Sequence, residues 1–219
     1  MTASTREASY RYGAVLLLAF LLLVFIIIAP AGDWSRAVVL GLQGGALLVI
    51  LGTSRERPDV RRTRTLGAAV AWTAIVVATA AGALPTDVVL AVTGVLAAVI
   101  PLALVGGLLR LVRGRGVTLQ VVAGALAIYL LLGLTFAMLI AFVAAVGDTP
   151  YFASGTDGTP GDRVYFSFTV LTTTGFGDFT AATPLGHALA VGEMLTGQLY
   201  LVTVIGVIVG DLAGRRRQS

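Results

Sequence analysis

The feature that most constrains this chain is the recurrence, along nearly its whole length, of apolar runs long enough to cross a bilayer. Six can be marked, at about 13–30, 37–53, 66–84, 88–109, 117–146 and 185–212. The second is short and carries Gln43 and several glycines. The fifth and sixth are long for a hydrocarbon core of about 30 Å, which implies tilt or extension beyond the lipid. Composition agrees. Of the 219 residues, 57% are hydrophobic and 12% charged, where a soluble domain carries about 25% charge. The expected fold class is an all-α membrane protein with six transmembrane helices.

The basic residues orient the chain. All 15 are Arg. If all six spans cross, 13 of them fall on one side: Arg6, Arg11, the cluster from Arg55 to Arg64, Arg110, Arg113, Arg115 and Arg215 to Arg217. Only Arg36 and Arg163 fall on the other. Basic residues are retained on the cytoplasmic side, so both termini are expected in the cytoplasm of a multi-pass cell-membrane protein, and 147–184 faces outward. The same placement argues against nucleic acid as a partner, because no basic face lies on a soluble domain. Arg6, Arg11, an apolar stretch and Ala29-Pro30-Ala31 also loosely resemble a cleaved signal peptide; the topology after residue 36 is the same either way.

The last outward loop differs in kind from the others. A turn-forming stretch, 155–161, precedes the apolar Val164–Leu171, which is too short to cross. It suits a re-entrant half-helix, tolerable at membrane depth only where protein surrounds it. It runs directly into Thr172-Thr173-Thr174-Gly175-Phe176-Gly177-Asp178. Dehydrating a potassium ion requires oxygens that replace its water shell repeatedly along a line. Main-chain carbonyls supply them if successive ones point the same way, which requires alternating ordinary and positive φ. Glycine takes positive φ without steric cost, and Gly175 and Gly177 alternate as such a strand wants. The Thr173 hydroxyl can add an oxygen at the inner end. The negative end of the half-helix dipole would favour a cation in the cavity, and Asp178 would raise cation concentration at the outer mouth.

Thr173-Thr174-Gly175-Phe176-Gly177-Asp178 closely resembles the selectivity filter of potassium channels, usually Thr-Val-Gly-Tyr-Gly-Asp. The resemblance extends over about 117–212, and the overall layout looks like a bacterial six-span channel. It implies a four-span region at 1–115, a pore domain at 116–219, a homotetramer in the bacterial inner membrane, and potassium held at Thr173, Thr174, Gly175 and Phe176. It implies no cofactor beyond the permeant ion and no enzymatic activity. Tyr165 and Phe166 stand where many members have two Trp, and Phe176 replaces the commoner Tyr. Both changes remove hydrogen-bond donors, so a softer, less selective filter is expected. Thr174 replaces the usual Val or Ile, and its hydroxyl needs a partner behind the filter. Ala181 sits where many members have Pro. Gly197 lies where the family often has a gating-hinge glycine.

Gln198, Leu201 and Ile205 share a helical face and are expected along the permeation path. Glu193, a carboxyl inside a span, is costly there. It is expected to support the filter by contacting the pore helix, at Thr169 or Thr172, in protonated or hydrogen-bonded form; a buried structural carboxyl is the alternative. His187, the one histidine, is expected at the outer interface, as an ordinary residue or an outer-pH sensor. Gly206 and Gly210 permit close helix approach. Asp211 is expected at a helix end or the inner mouth.

The fourth span carries no charge between Val88 and Leu109, Pro101 interrupts it, and Arg110 and Arg113 lie at its cytoplasmic end. A voltage sensor needs several Arg within the membrane, so weak or absent voltage gating is expected. Gly-Phe-Gly-Asp also matches an intramembrane aspartyl protease motif. That chemistry needs a second carboxylate, and the chain has no Tyr-Asp pair. One His and no Cys exclude a zinc site. A weakly selective cation channel, and a secondary transporter or scaffold, stay open as alternatives.

Overall fold

The computed structural model describes residues 3–30, 32–51, 58–85 and 118–216, together with 88, 89, 92–96, 99, 102 and 105. Three helices occupy the N-terminal half: α1 (Ala3–Ile28), α2 (Asp33–Leu51) and α3 (Pro58–Ala80). Three follow in the C-terminal half: α4 (Leu119–Val146), α5 (Pro160–Leu171) and α6 (Pro184–Arg216). The described residues between 88 and 105 are helical too. Pro101, Arg110, Arg113 and Arg115 lie outside the described residues.

Helix ends follow local chemistry. α1 stops two residues before Pro30, whose ring disfavours helical geometry in the residue ahead of it. α3 ends on Gly82 at φ +66°, with Gly82 N–H donating to Thr79 and Ala83 N–H to Ala78. That left-handed cap satisfies carbonyls the helix leaves open. α4 is capped by the Thr118 hydroxyl, which accepts from Val121 N–H.

Among the described residues, one helix, α4, is long and apolar enough to cross a membrane. Tyr12–Ile28 and Leu66–Ala80 form shorter apolar stretches. The expectation of six spans therefore narrows to an all-α chain with one clear span.

The core lies between the two halves. Val15, Ala19 and Leu22 of α1 are buried against Ala127, Ile128, Leu131, Leu134 and Ala137 of α4, with Val164 of α5. Small residues on α1 and α4 let the two helices approach closely. α2 packs on α1 and α3, and the Trp72 indole donates to the Leu40 carbonyl at 3.0 Å. At the far end, the first turn of α5 rests on the last turn of α1: a methyl added at Gly161 would lie 3.2 Å from the Ile27 carbonyl oxygen. α5 is thus seated by α1, α4 and α6 together, which sets where the segment after it emerges.

Candidate functional site: the α5 end and the 172–178 strand

α5 begins earlier than the apolar run suggests, at Pro160 rather than Val164. Thr159 is its N-cap. The Thr159 hydroxyl accepts from Asp162 N–H at 3.1 Å, and the Asp162 carboxylate accepts from Thr159 N–H at 2.7 Å. Pro160 at the first position has no N–H to leave unsatisfied. The end of the stretch read as a turn is therefore a capping box. Thr-Pro-Gly-Asp ahead of an apolar run was the signal for it.

At its other end α5 leaves its last carbonyls without intrahelical donors. Every one of them finds a partner nearby. The Phe168 carbonyl accepts from Thr172 N–H, and the Val170 carbonyl from Thr173 N–H. The Thr169 carbonyl accepts from both Thr174 N–H at 2.9 Å and Gly175 N–H at 3.1 Å. The Tyr129 hydroxyl donates to the Leu171 carbonyl at 3.3 Å. The N–H groups of residues 172–175 are thus turned back onto the helix. No hydrogen bond among the described residues ends on a main-chain carbonyl of 173–177. Because those helix carbonyls are engaged, the helix end offers a cavity its dipole rather than free oxygens.

Backbone dihedrals alternate along the strand. Thr173, Gly175 and Gly177 have φ of +57°, +52° and +81°. The glycines adopt this freely. Thr173 is β-branched and strained there, and is held by its N–H bond to Val170 and by Gln198 of α6, whose amide donates to the Thr173 hydroxyl at 3.2 Å. The Thr174 hydroxyl finds its partner in the Thr172 hydroxyl at 2.9 Å. Residues 172–178 are exposed in the single chain except at their anchoring bonds.

Behind the strand lies an aromatic cluster of Tyr151, Phe152, Phe166 and Phe179, with ring centroids about 5–6 Å apart. The Phe176 ring stacks on Tyr165 at 6.4 Å and 6°. The Tyr165 hydroxyl faces Asp178 at the outer end of the strand. The outer loop is tied to the strand's exit: Ala153 N–H donates to the Thr180 carbonyl and Ala182 N–H to the Tyr151 carbonyl. Ala181 pairs across this bridge with Phe152, and the His187 ring contacts the Ala181 carbonyl at 2.8 Å.

Glu193 is fully buried on α6. Its partner is Ser167, at 2.5 Å, which corrects the expectation of Thr169 or Thr172. Thr169 instead donates to the Phe166 carbonyl and Thr172 to the Phe168 carbonyl, both on their own helix. Ser167 Oγ also lies 2.7 Å from the Gly133 carbonyl. One hydroxyl hydrogen cannot serve both acceptors. Both contacts are satisfied when the carboxyl brings a proton to Ser167 and Ser167 donates to Gly133. Spacing along α6 showed which face Glu193 occupies, but not which turn of α5 faces it.

Gly197 abuts α5: an added methyl would collide with the Leu171 carbonyl. Its lack of a side chain serves a close helix approach here. Gln198 points to the strand, as its bond to Thr173 shows. Leu201 is half-buried. The side chains of Ile205 and Asp211 lie outside the described residues. Residues missed in the sequence are Ser167, Tyr129 and Tyr200, whose hydroxyl donates to the Ala125 carbonyl at 2.6 Å. Their partners are main-chain atoms far along the chain, which leave no sequence pattern.

No curated protein and no solved structure matches this chain. Residues 124–213, which span α4, α5, the strand and most of α6, match the family model described as "Ion channel", and this match supports an ion-channel module in the C-terminal half of the chain.

Proposed function

We propose that the chain is a potassium channel subunit, passing potassium passively through a pore that four copies close around residues 173–177. The observation that carries this reading is the strand itself. Its φ is positive at 173, 175 and 177, the N–H groups of Thr173, Thr174 and Gly175 are spent on α5, and its carbonyls accept no bond among the described residues. Such a row of oxygens suits repeated replacement of an ion's water. One strand cannot surround an ion, and closed rings are the usual solution of identical subunits. α6 favours such a ring. Val191, Leu195, Leu199 and Val202 form an exposed apolar stripe that neighbouring copies would cover.

Within this reading Thr173, Thr174, Gly175, Phe176 and Gly177 form the filter, with potassium at the first four. Asp178 forms the outer mouth, and Gln198, Leu201 and Ile205 line the cavity below. Tyr165, Phe166, Thr169, Thr172 and Glu193 support the filter. Residues 116–219 form the pore domain and 1–115 an accessory region without a voltage sensor. The protein sits in the cell membrane with both termini in the cytoplasm.

A weakly selective cation channel is a second reading, favoured by Phe176. Its ring has no hydroxyl, so the Tyr165 hydroxyl, which faces Asp178, is the donor left to the cuff at the strand's outer end. Single-channel recording of the purified protein in planar bilayers, with potassium on one side and sodium on the other, separates the readings. Reversal near the potassium equilibrium potential supports the first. Reversal near zero supports the second, and absence of unitary current removes both.

A further inference from the structure

A cavity of about 280 Å³ lies away from the filter, between the accessory helices and the pore module. Its walls come from α1, α2, the helical residues near Val89, α4 and the first turn of α5. Leu22, Ile26, Leu134 and Met138 make most of it apolar. At one end stand Arg36 and Arg163, the two arginines that the charge pattern places on the outward side. Gln43, two turns further along α2, and Thr93 also line it. Gln43 is buried, and its amide oxygen has no hydrogen-bond partner among the described residues.

The charges at the rim are unequal in setting. Arg36 pairs with Asp33 at 2.9 Å on the surface, a contact of small energy. Arg163 donates to the Asp157 and Gly158 carbonyls. Burial pushes the Arg163 pKa below the ordinary guanidinium value, despite Asp157 and Asp162 nearby. The two guanidinium groups line the same cavity, and a carboxylate between them would accept charge-assisted hydrogen bonds from both.

The dimensions limit what can enter. At about 30 Å³ for each water-sized group, the cavity holds roughly nine such groups. Seven helical residues separate Arg36 from Gln43, a depth of about 10 Å. At the bond lengths of a carbon chain this is an extended chain of roughly eight carbons. The two chains of a diacyl lipid do not fit.

We propose that this cavity binds a medium-chain fatty acid from the outer leaflet, its carboxylate at Arg36 and Arg163 and its alkyl chain between α1, α2 and α4. The ligand touches the accessory helices on one side and the seat of α5 on the other. It therefore occupies a place where the N-terminal region can bias α5.

The test uses the full-length protein in phosphatidylcholine vesicles and reads binding directly, so it stands whether or not the protein conducts. Trp34 stacks edge-on against Phe25, a cavity wall residue, at 5.8 Å. A Trp72→Phe variant leaves Trp34 as the reporter. Titration with 2-bromooctanoate, whose bromine sits beside the carboxylate at the Trp34 end, should quench it saturably. The chain-matched 2-bromooctan-1-ol should bind at least tenfold more weakly, and Arg36→Gln should weaken 2-bromooctanoate binding several-fold. Ala137→Phe, which fills the cavity, should abolish saturation; Ala141→Phe does the same from a neighbouring wall position if the first variant misfolds. Quenching that rises linearly in all variants, or equal affinity for acid and alcohol, would overturn the proposal.

Discussion

Tyr151 illustrates how a single buried atom shapes this protein's response to its surroundings. Its ring is packed behind the strand, and its hydroxyl is buried without a partner among the described residues. Burial disfavours the phenolate and pushes the pKa up to about 12. A raised folded-state value means that its contribution to stability is intact below about pH 10, the ordinary phenol value. It is lost as pH rises from there through about 12. Replacing Tyr151 by Phe removes both the titration and an unsatisfied hydroxyl. Thermal unfolding should show Tyr151→Phe unchanged or more stable by about 1 kcal/mol at neutral pH, with a smaller loss above pH 10. A destabilised variant would mean that the hydroxyl has a partner after all. Gly177 makes the opposite case. At φ +81° an Ala there costs about 1–2 kcal/mol. Gly177→Ala should abolish potassium flux in liposomes while the chain still inserts; normal flux would refute the filter reading of the strand.

At the scale of elements, α5 is the part on which the site depends, and it is held by main-chain and buried polar contacts. The chain of bonds from Glu193 through Ser167 to the Gly133 carbonyl links α6, α5 and α4. Glu193→Gln keeps a donor toward Ser167 and should change thermal stability little. Ser167→Ala leaves the Glu193 carboxyl buried and unpaired, and should cost about 1–3 kcal/mol. A double-mutant cycle should show coupling above about 0.5 kcal/mol; additivity would mean the contact is not formed. Gly197 sets the distance between α6 and α5. Because the atom an added methyl meets is backbone, Gly197→Ala should cost about 1–3 kcal/mol. If the variant is as stable as the parent, then a hinge, not close packing, is the reason for the glycine.

For the whole molecule, the charge asymmetry makes a prediction independent of ion conduction. The chain has no cysteine, so single cysteines report topology cleanly. A membrane-impermeant thiol reagent should label Ala153→Cys on intact cells and leave Ser54→Cys unlabelled until the membrane is opened. The reverse pattern would invert the topology. The burial of Val15, Ala19 and Leu22 against α4 gives the N-terminal helices a mechanical hold on the C-terminal half. Substituting Ala19 with Trp should therefore destabilise the C-terminal half as well as α1, read as a lower melting temperature of the whole protein.

By itself the sequence determined the helical class, the position of the half-helix, and the Gly-x-Gly strand with its neighbouring Asp178. These are legible because they rest on local rules: apolar run length, the φ freedom of glycine, and the distribution of Arg. It also placed Gln198 on the face that meets Thr173. It did not give the Ser167 partner of Glu193, the Tyr129 bond to Leu171, or the packing role of Gly197. Nor did it foresee the early start of α5, where a capping box overrode a reading of Gly and Pro as turn. The capping box is local and was there to be read in Thr-Pro-Gly-Asp; tertiary structure decided the other three, because each depends on which atoms two remote helices bring close together, and nothing in helical spacing encodes the distance between one helix and the next.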